Sequence, residues 1–410
     1  MLRTSSFRSG GAAGDTGTFA GGNTGVAGTP GAGGSSGAGG IGGTCNYACN
    51  APGGAGSTPG SGGGGGSTNG GVGGNGAAGI AIMSGTVSTG GSLTISTGTG
   101  KVDLSGSSIN VSSLEIKSSS TASTISAAIG GSTALTLTAP LTSGVLTLSA
   151  NNTYTGVTTL NSGYVYITSA SNINGGAGGV TLAGGGIKSG ADITLSSAIS
   201  LAALKTSILF ATGTTTLTVN GNITGAGNLV IANGATGTVV LGGTNDYTGS
   251  TSIYAKLKIA NQNALSTSAL TIGGSSSVLD IAGYSISNAI TESSSGGTIR
   301  SSAAGGTITG GVALNANYMT LSAASGASLT IGTTAITGTG ATALSIGSAT
   351  DTGTVTLSVG NTFTGTVSLV KGSLIVTHAT GLGTTDAGTS IASGATLDLQ
   401  NAQIACPAQS

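Results

Sequence analysis

The side chains able to do acid–base chemistry are few in this chain of 410 residues, and they stand apart from one another. Beyond residue 80 the acids come singly: Asp103, Glu115, Asp192 and Asp246, then Asp280, Glu292, Asp351, Asp386 and Asp398. No two are adjacent or alternate. Hydrolysis of a glycoside wants two carboxylates converging on one cleft, and a polysaccharide lyase wants clustered aspartates with Arg or Lys. Arg300 is the one arginine beyond residue 80, and His378, in "VTHATG", is the single histidine, with no Cys or acid beside it. On these residues no catalytic, cofactor or metal site is expected. A polysaccharide-active enzyme stays as an alternative, to be judged by whether winding gathers the acids on one face.

Cys45 and Cys49, in "CNYACN", are spaced to close a small local disulfide in an oxidising compartment or to remain free thiols, and Cys406 is left over. The C-x-x-x-C spacing is not that of a zinc knuckle.

Ten basic and ten acidic residues are scattered singly, for a formal net charge of zero. There is no basic stripe for phosphates, so nucleic acid is excluded as a partner. No run of about 18 apolar residues exists, so no transmembrane helix is expected. The opening "MLRTSSFRSGG" has two arginines with no apolar stretch after them, unlike a conventional signal peptide. Gly supplies 81 residues and charged residues only 5%, yet mean hydropathy is +0.35. That apolar surface, with little charge to repel it, marks an ordered, β-rich chain.

Two regions follow. Residues 1–79 are Gly-dominated, and every third residue from Gly22 to Gly43 is glycine. Pro30 is the only proline in that run, too few for collagen. A sheaf of extended polyglycine II helices and a Gly/Ser linker both fit the period. Residues 80–410 instead show short alternating apolar runs such as "SLTIS" at Ser92, "ALTLT" at Ala134 and "SLTIG" at Ser328, separated by Gly, Asn, Ser and Thr. This is the pattern of strands with one buried face. Charges respect the phase: Asp103, Glu115, Lys258, Asp280 and Asp398 each stand between two aliphatic neighbours that must point the other way.

One phrase recurs in this region. N-T-Y-T-G at Asn152, Tyr154 and Gly156 returns as N-D-Y-T-G at Asn245, Tyr247 and Gly249, and as N-T-F-T-G at Asn361, Phe363 and Gly365. Each copy has Leu before it (Leu148, Leu241, Leu357) and Leu or Ile after it (Leu160, Ile253, Leu369), then a second alternating strand. The aromatic positions are separated by about four and five units of roughly 23 residues, a plausible coil length for a right-handed parallel β-helix. In this reading the Asn and Gly supply the unusual backbone angles of a corner. The ring covers the apolar interior, and Thr hydroxyls bond turn amides.

The phrases "NNTYTGVTTLNSGYVYI" and "NTFTGTVSLVKGSLIV" resemble the autotransporter-associated β-strand repeat, also called the passenger-associated transport repeat. The resemblance implies a parallel β-helix carried outside a Gram-negative cell as the passenger part of a surface protein. The function expected is non-enzymatic and structural: a β-solenoid stalk, an adhesin passenger, or a subunit of a surface fibre or sheath. Its partners would be other copies, end to end or side by side, and surface glycans or a host or matrix protein. An ice-binding or carbohydrate-binding module is the alternative. Ice binding needs a Thr-x-Thr rank at the same place in successive coils.

Overall fold

The computed structural model describes residues 81–83, 86–88, 91–139, 144–173, 178–232, 237–293, 296–315, 318–338, 343–384 and 387–400. The Gly-rich region 1–79, Cys45, Cys49, Cys406 and Asp386 lie outside the described residues. The described chain is all β apart from one 3-10 turn, Ala170–Ile173, and the strands pair in parallel. It is a β-solenoid. The described residues form two compact units, one up to Val180 with Gly184–Gly186, the other Thr181–Ala183 with the residues from Ile187 onward.

In the first unit the coils before Asn152 lay one strand on each of three columns. Ser92–Gly98 pairs with Ser113–Ser118, and that strand with Ala134–Thr138. Thr86–Ser88 pairs with Ser108–Asn110, which pairs with Ala128–Ile129. The third column holds Val102–Leu104, Ser123–Ile125, Val145–Leu148 and Tyr164–Ile167.

The second unit carries a ten-stranded sheet from Ile193–Leu195 to Thr389–Ile391 and a six-stranded sheet from Ser285–Ile286 to Thr396–Leu399. A further column runs from Thr206–Ala211 through Thr251–Ile253 to Ile336–Gly338.

Alternation explains this stacking. Leu217 pairs with Val239, then Leu257, Leu279, Ile299 and Leu321 follow in register, all buried. Burial of each is worth about 1.5–3 kcal/mol. A shift of one residue would turn the whole column outward, so register is strongly fixed. Asp103, Glu115 and Lys258 take the outward phase expected of them. Asp280 also faces outward yet is 7% exposed, because other residues cover it.

Candidate functional sites: an asparagine-clamped corner and an Arg300 cluster

Each copy of the recurrent phrase replaces a strand. Residues 152–155 run beside Ile129 and Gly131: the Thr153 amide donates to the Ile129 carbonyl at 2.8 Å and the Thr155 amide to that of Gly131 at 2.8 Å. The second copy lies in the same way beside Ile223–Gly225, and the third beside Ile336–Gly338. All three of those strands end their sheets among the described residues.

The asparagine side chain does what a strand backbone would have done. Asn245 Oδ1 accepts from the Ile223 amide of the preceding coil at 2.7 Å, while Nδ2 donates to the Ala264 carbonyl of the following coil at 2.5 Å. Asn152 joins Ile129 and Asn172 at 2.8 and 2.5 Å, and Asn361 joins Ile336 and Gly381 at 2.7 and 2.6 Å. The three asparagines are buried. An amide is suited to this place because it carries an acceptor and donors on one planar group.

The expected backbone angles are corrected here. None of the phrase asparagines or glycines has positive φ; the left-handed glycines are the later turn residues Gly163 (φ 72°) and Gly372 (φ 76°). Gly249 is needed for close approach instead: a Cβ there would meet the Gly227 carbonyl oxygen at 2.0 Å, and one at Gly156 would meet that of Thr133 at 2.3 Å. The Thr155 hydroxyl donates to a carbonyl, that of Gly131, rather than bonding an amide.

Tyr154, Tyr247 and Phe363 are fully buried. Tyr154 Oη lies 2.6 Å from Thr158 Oγ1, and Tyr247 Oη 2.7 Å from Thr251 Oγ1. In the third copy the residue four after the aromatic is Val367, also buried. Hydroxyl and partner thus leave together, as they must where a lone buried hydroxyl is costly. Burial pushes the Tyr154 phenol up to about 12, against the lowering effect of its bond to Thr158. Tyr247 is raised for the same reason.

The copies do not form one stack. Within the second unit, Tyr247 and Phe363 follow strands of different sheets, so their separation is not a whole number of coils. Coil length also varies: Leu146 pairs with Val165, Val239 with Leu257 and Val355 with Leu374, shorter steps than Leu217 to Val239 or Leu321 to Ile346. Each of these three short steps spans a phrase, yet Leu229 to Thr251 and Leu344 to Val367 also span one at full length, and Thr251 to Leu270 is short without one.

The second site is charged and lies on the ten-stranded sheet. Register puts Lys258, Asp280, Arg300 and Ser322 side by side on successive strands, all facing out. Arg300 Nη1 donates to Asp280 Oδ2 at 2.8 Å. Its Nε and Nη2 form a fork on Asp351, at 2.9 Å to Oδ2 and 3.0 Å to Oδ1. Ser322 Oγ donates to Asp351 at 2.9 Å, and the Ala282 and Ser302 amides both reach Asp280 Oδ1 at 2.9 Å. The side chains of Asp280 and Asp351 are 10% and 9% exposed, that of Arg300 28%. Arg300 is pushed further above its ordinary value, first by its hydrogen bond to Asp351, with burial opposing and the charges of both aspartates assisting. Asp280 was legible as an outward charge; Asp351 sits in the loop "GSATD", where no phase operates, and only winding reveals it.

The burial of one acid was not expected from the sequence. Glu292 is fully buried, in register with Ile272, and accepts from the Gly296 amide at 2.9 Å and the Asn315 amide at 3.1 Å. The available signal was its phase: it shares the inward parity of Ile290. His378 is exposed, with Nδ1 3.2 Å from the Thr380 amide. Among the described residues no three His, Cys, Asp or Glu gather to hold a metal, and no helix is long and apolar enough to cross a membrane. The outward pair Thr216 and Thr218 is followed in register by Thr238 and Val240, then by Lys256 and Lys258, so the Thr-x-Thr rank does not repeat here.

Comparison with family models, with curated proteins and with solved structures finds no match to this chain.

Proposed function

We propose that the chain is a non-enzymatic extracellular structural protein, a β-solenoid stalk or adhesin passenger of a Gram-negative surface, that associates with further copies of itself. The observation carrying this reading is the state of the Arg300 cluster. Winding brings Asp280 and Asp351 to one guanidinium, and every one of their carboxylate oxygens already accepts a hydrogen bond. A general acid or base needs a lone pair or proton free for substrate. Three of the four oxygens take two hydrogen bonds each and only Asp280 Oδ2 takes one, which supports a structural use of these carboxylates.

The remaining features agree with a scaffold. The asparagine corners tie coil to coil and expose little of themselves. The phrase's resemblance to the autotransporter-associated repeat supports a place outside the cell. A formal net charge of zero favours association. The test pairs imaging and sedimentation of the purified chain with a screen for polysaccharide breakdown. Assemblies without release of sugar fragments are expected. Catalytic turnover would overturn the non-enzymatic reading, and a monomer at high concentration would overturn self-association.

A further inference from the structure

The Arg300 cluster borders a groove of about 440 Å³ on the outer face of the ten-stranded sheet. Ligand clefts run from about 300 to 1,000 Å³. The lining comes from five successive strands, Thr238–Leu241 to Tyr318–Ala323, and from the loop holding Ser348, Thr350 and Asp351. Four interstrand spacings make it about 19 Å long. So modest a volume over that length is shallow and one chain wide. It suits an extended polymer rather than a compact ligand.

The chemistry of the walls narrows the polymer. One outward column presents Thr298 and Thr320, and Ser322 stands in the other. The two threonine hydroxyls, with two of the five Arg300 donors unspent, match a ligand rich in hydroxyls; Ser322 is buried and donates to Asp351. A peptide added as a strand would need a free sheet edge, and every strand here is paired on both sides. At one end Lys256 and Lys258 lie side by side on one strand, and neither has a carboxylate within 4.0 Å among the described residues. Arg300 against Asp280 and Asp351 leaves that cluster one negative charge, and with Lys256 and Lys258 the groove as a whole carries one net positive charge, concentrated at the lysines.

We propose that this groove binds an extended acidic polysaccharide, with its carboxylates on Lys256 and Lys258 and its hydroxyls on the threonine column and the Arg300 cluster. The assignment rests on the adhesin reading and gives it a ligand class.

The test is calorimetric titration of the full chain with an oligogalacturonate, a neutral maltooligosaccharide of equal length and a polyglutamate peptide. The oligogalacturonate should bind with an affinity that falls as salt is added. The neutral sugar and the peptide should bind far more weakly. Lys256→Ser/Lys258→Ser should weaken binding by about tenfold or more with an unchanged thermal melt. Lys205→Ser/Lys371→Ser, which removes equal charge from exposed sites elsewhere, should leave it intact. Equal binding of the neutral sugar or of polyglutamate, or equal loss in the control variant, would overturn the groove assignment. Absence of binding in a chain that still assembles removes the groove and leaves the scaffold. Cleavage of a bound oligogalacturonate would support the groove and overturn the non-enzymatic reading.

Discussion

The corner at Asn245 and the cluster at Arg300 both hold buried polar groups in the second unit, by opposite means. The corner is neutral: one amide bonded to the coils before and after it and one aromatic hydroxyl bonded to a threonine, in an arrangement that recurs at Asn152 and, without the hydroxyl, at Asn361. The cluster is ionic, occurs once among the described residues, and joins residues up to 51 apart in sequence. The difference teaches how to separate architecture from candidate function. A device used three times at strand-replacing positions belongs to the winding of the coil. A charged arrangement built once, on an outer face and beside unpaired lysines, belongs to one place on the surface.

Breaking the cluster should have the largest effect. Arg300→Met leaves two nearly buried carboxylates without their cation, a loss of about 3–5 kcal/mol. Urea denaturation at neutral pH measures it, and a loss below about 1 kcal/mol would show the cluster to be ornamental. Next comes the clamp. Asn245→Ala strands the Ile223 amide and the Ala264 carbonyl in adjacent coils and should cost about 2–4 kcal/mol. Asn245→Asp restores the acceptor but not the donor, so it should recover only part.

Alkaline pH probes the same corners through their phenols. The folded value of Tyr154, about 12, lies above the ordinary value of 10.0, so the unfolded chain gives up this proton first. The stabilisation is therefore whole below about pH 10 and is lost as pH rises through about 12, amounting to about 2–3 kcal/mol. Denaturation series across that window should show the decline, and Tyr154→Phe should lessen it, leaving the part due to Tyr247.

The smallest effect sharpens the comparison among the corners themselves. Tyr247→Phe or Thr251→Val alone should cost about 1 kcal/mol, since each leaves a buried hydroxyl with a lost partner. The double variant, which copies Phe363 and Val367, should return close to wild type. Additive losses would mean that the pairing of Tyr with Thr is incidental.

Much of this was legible in the sequence. Parity alone assigned the strands, the inward Leu and Ile columns and the outward charges at Asp103, Glu115 and Lys258. The phrase was visible as a unit, but its asparagine was assigned to backbone conformation when it acts through its side chain. A residue that favours turns and a residue that bridges coils look identical in one dimension. The even spacing of the aromatics misled because Tyr247 and Phe363 stand on different columns and coil length varies from step to step.

By itself the sequence determined the strand pattern and the parity of each strand's side chains, because alternation is a local property. Tertiary structure alone decided which coils lie next to one another, and with that the meeting of Asp280, Arg300 and Asp351 and the reach of Asn245 above and below. Those contacts depend on the summed lengths of every intervening turn, and no short stretch of chain carries that sum.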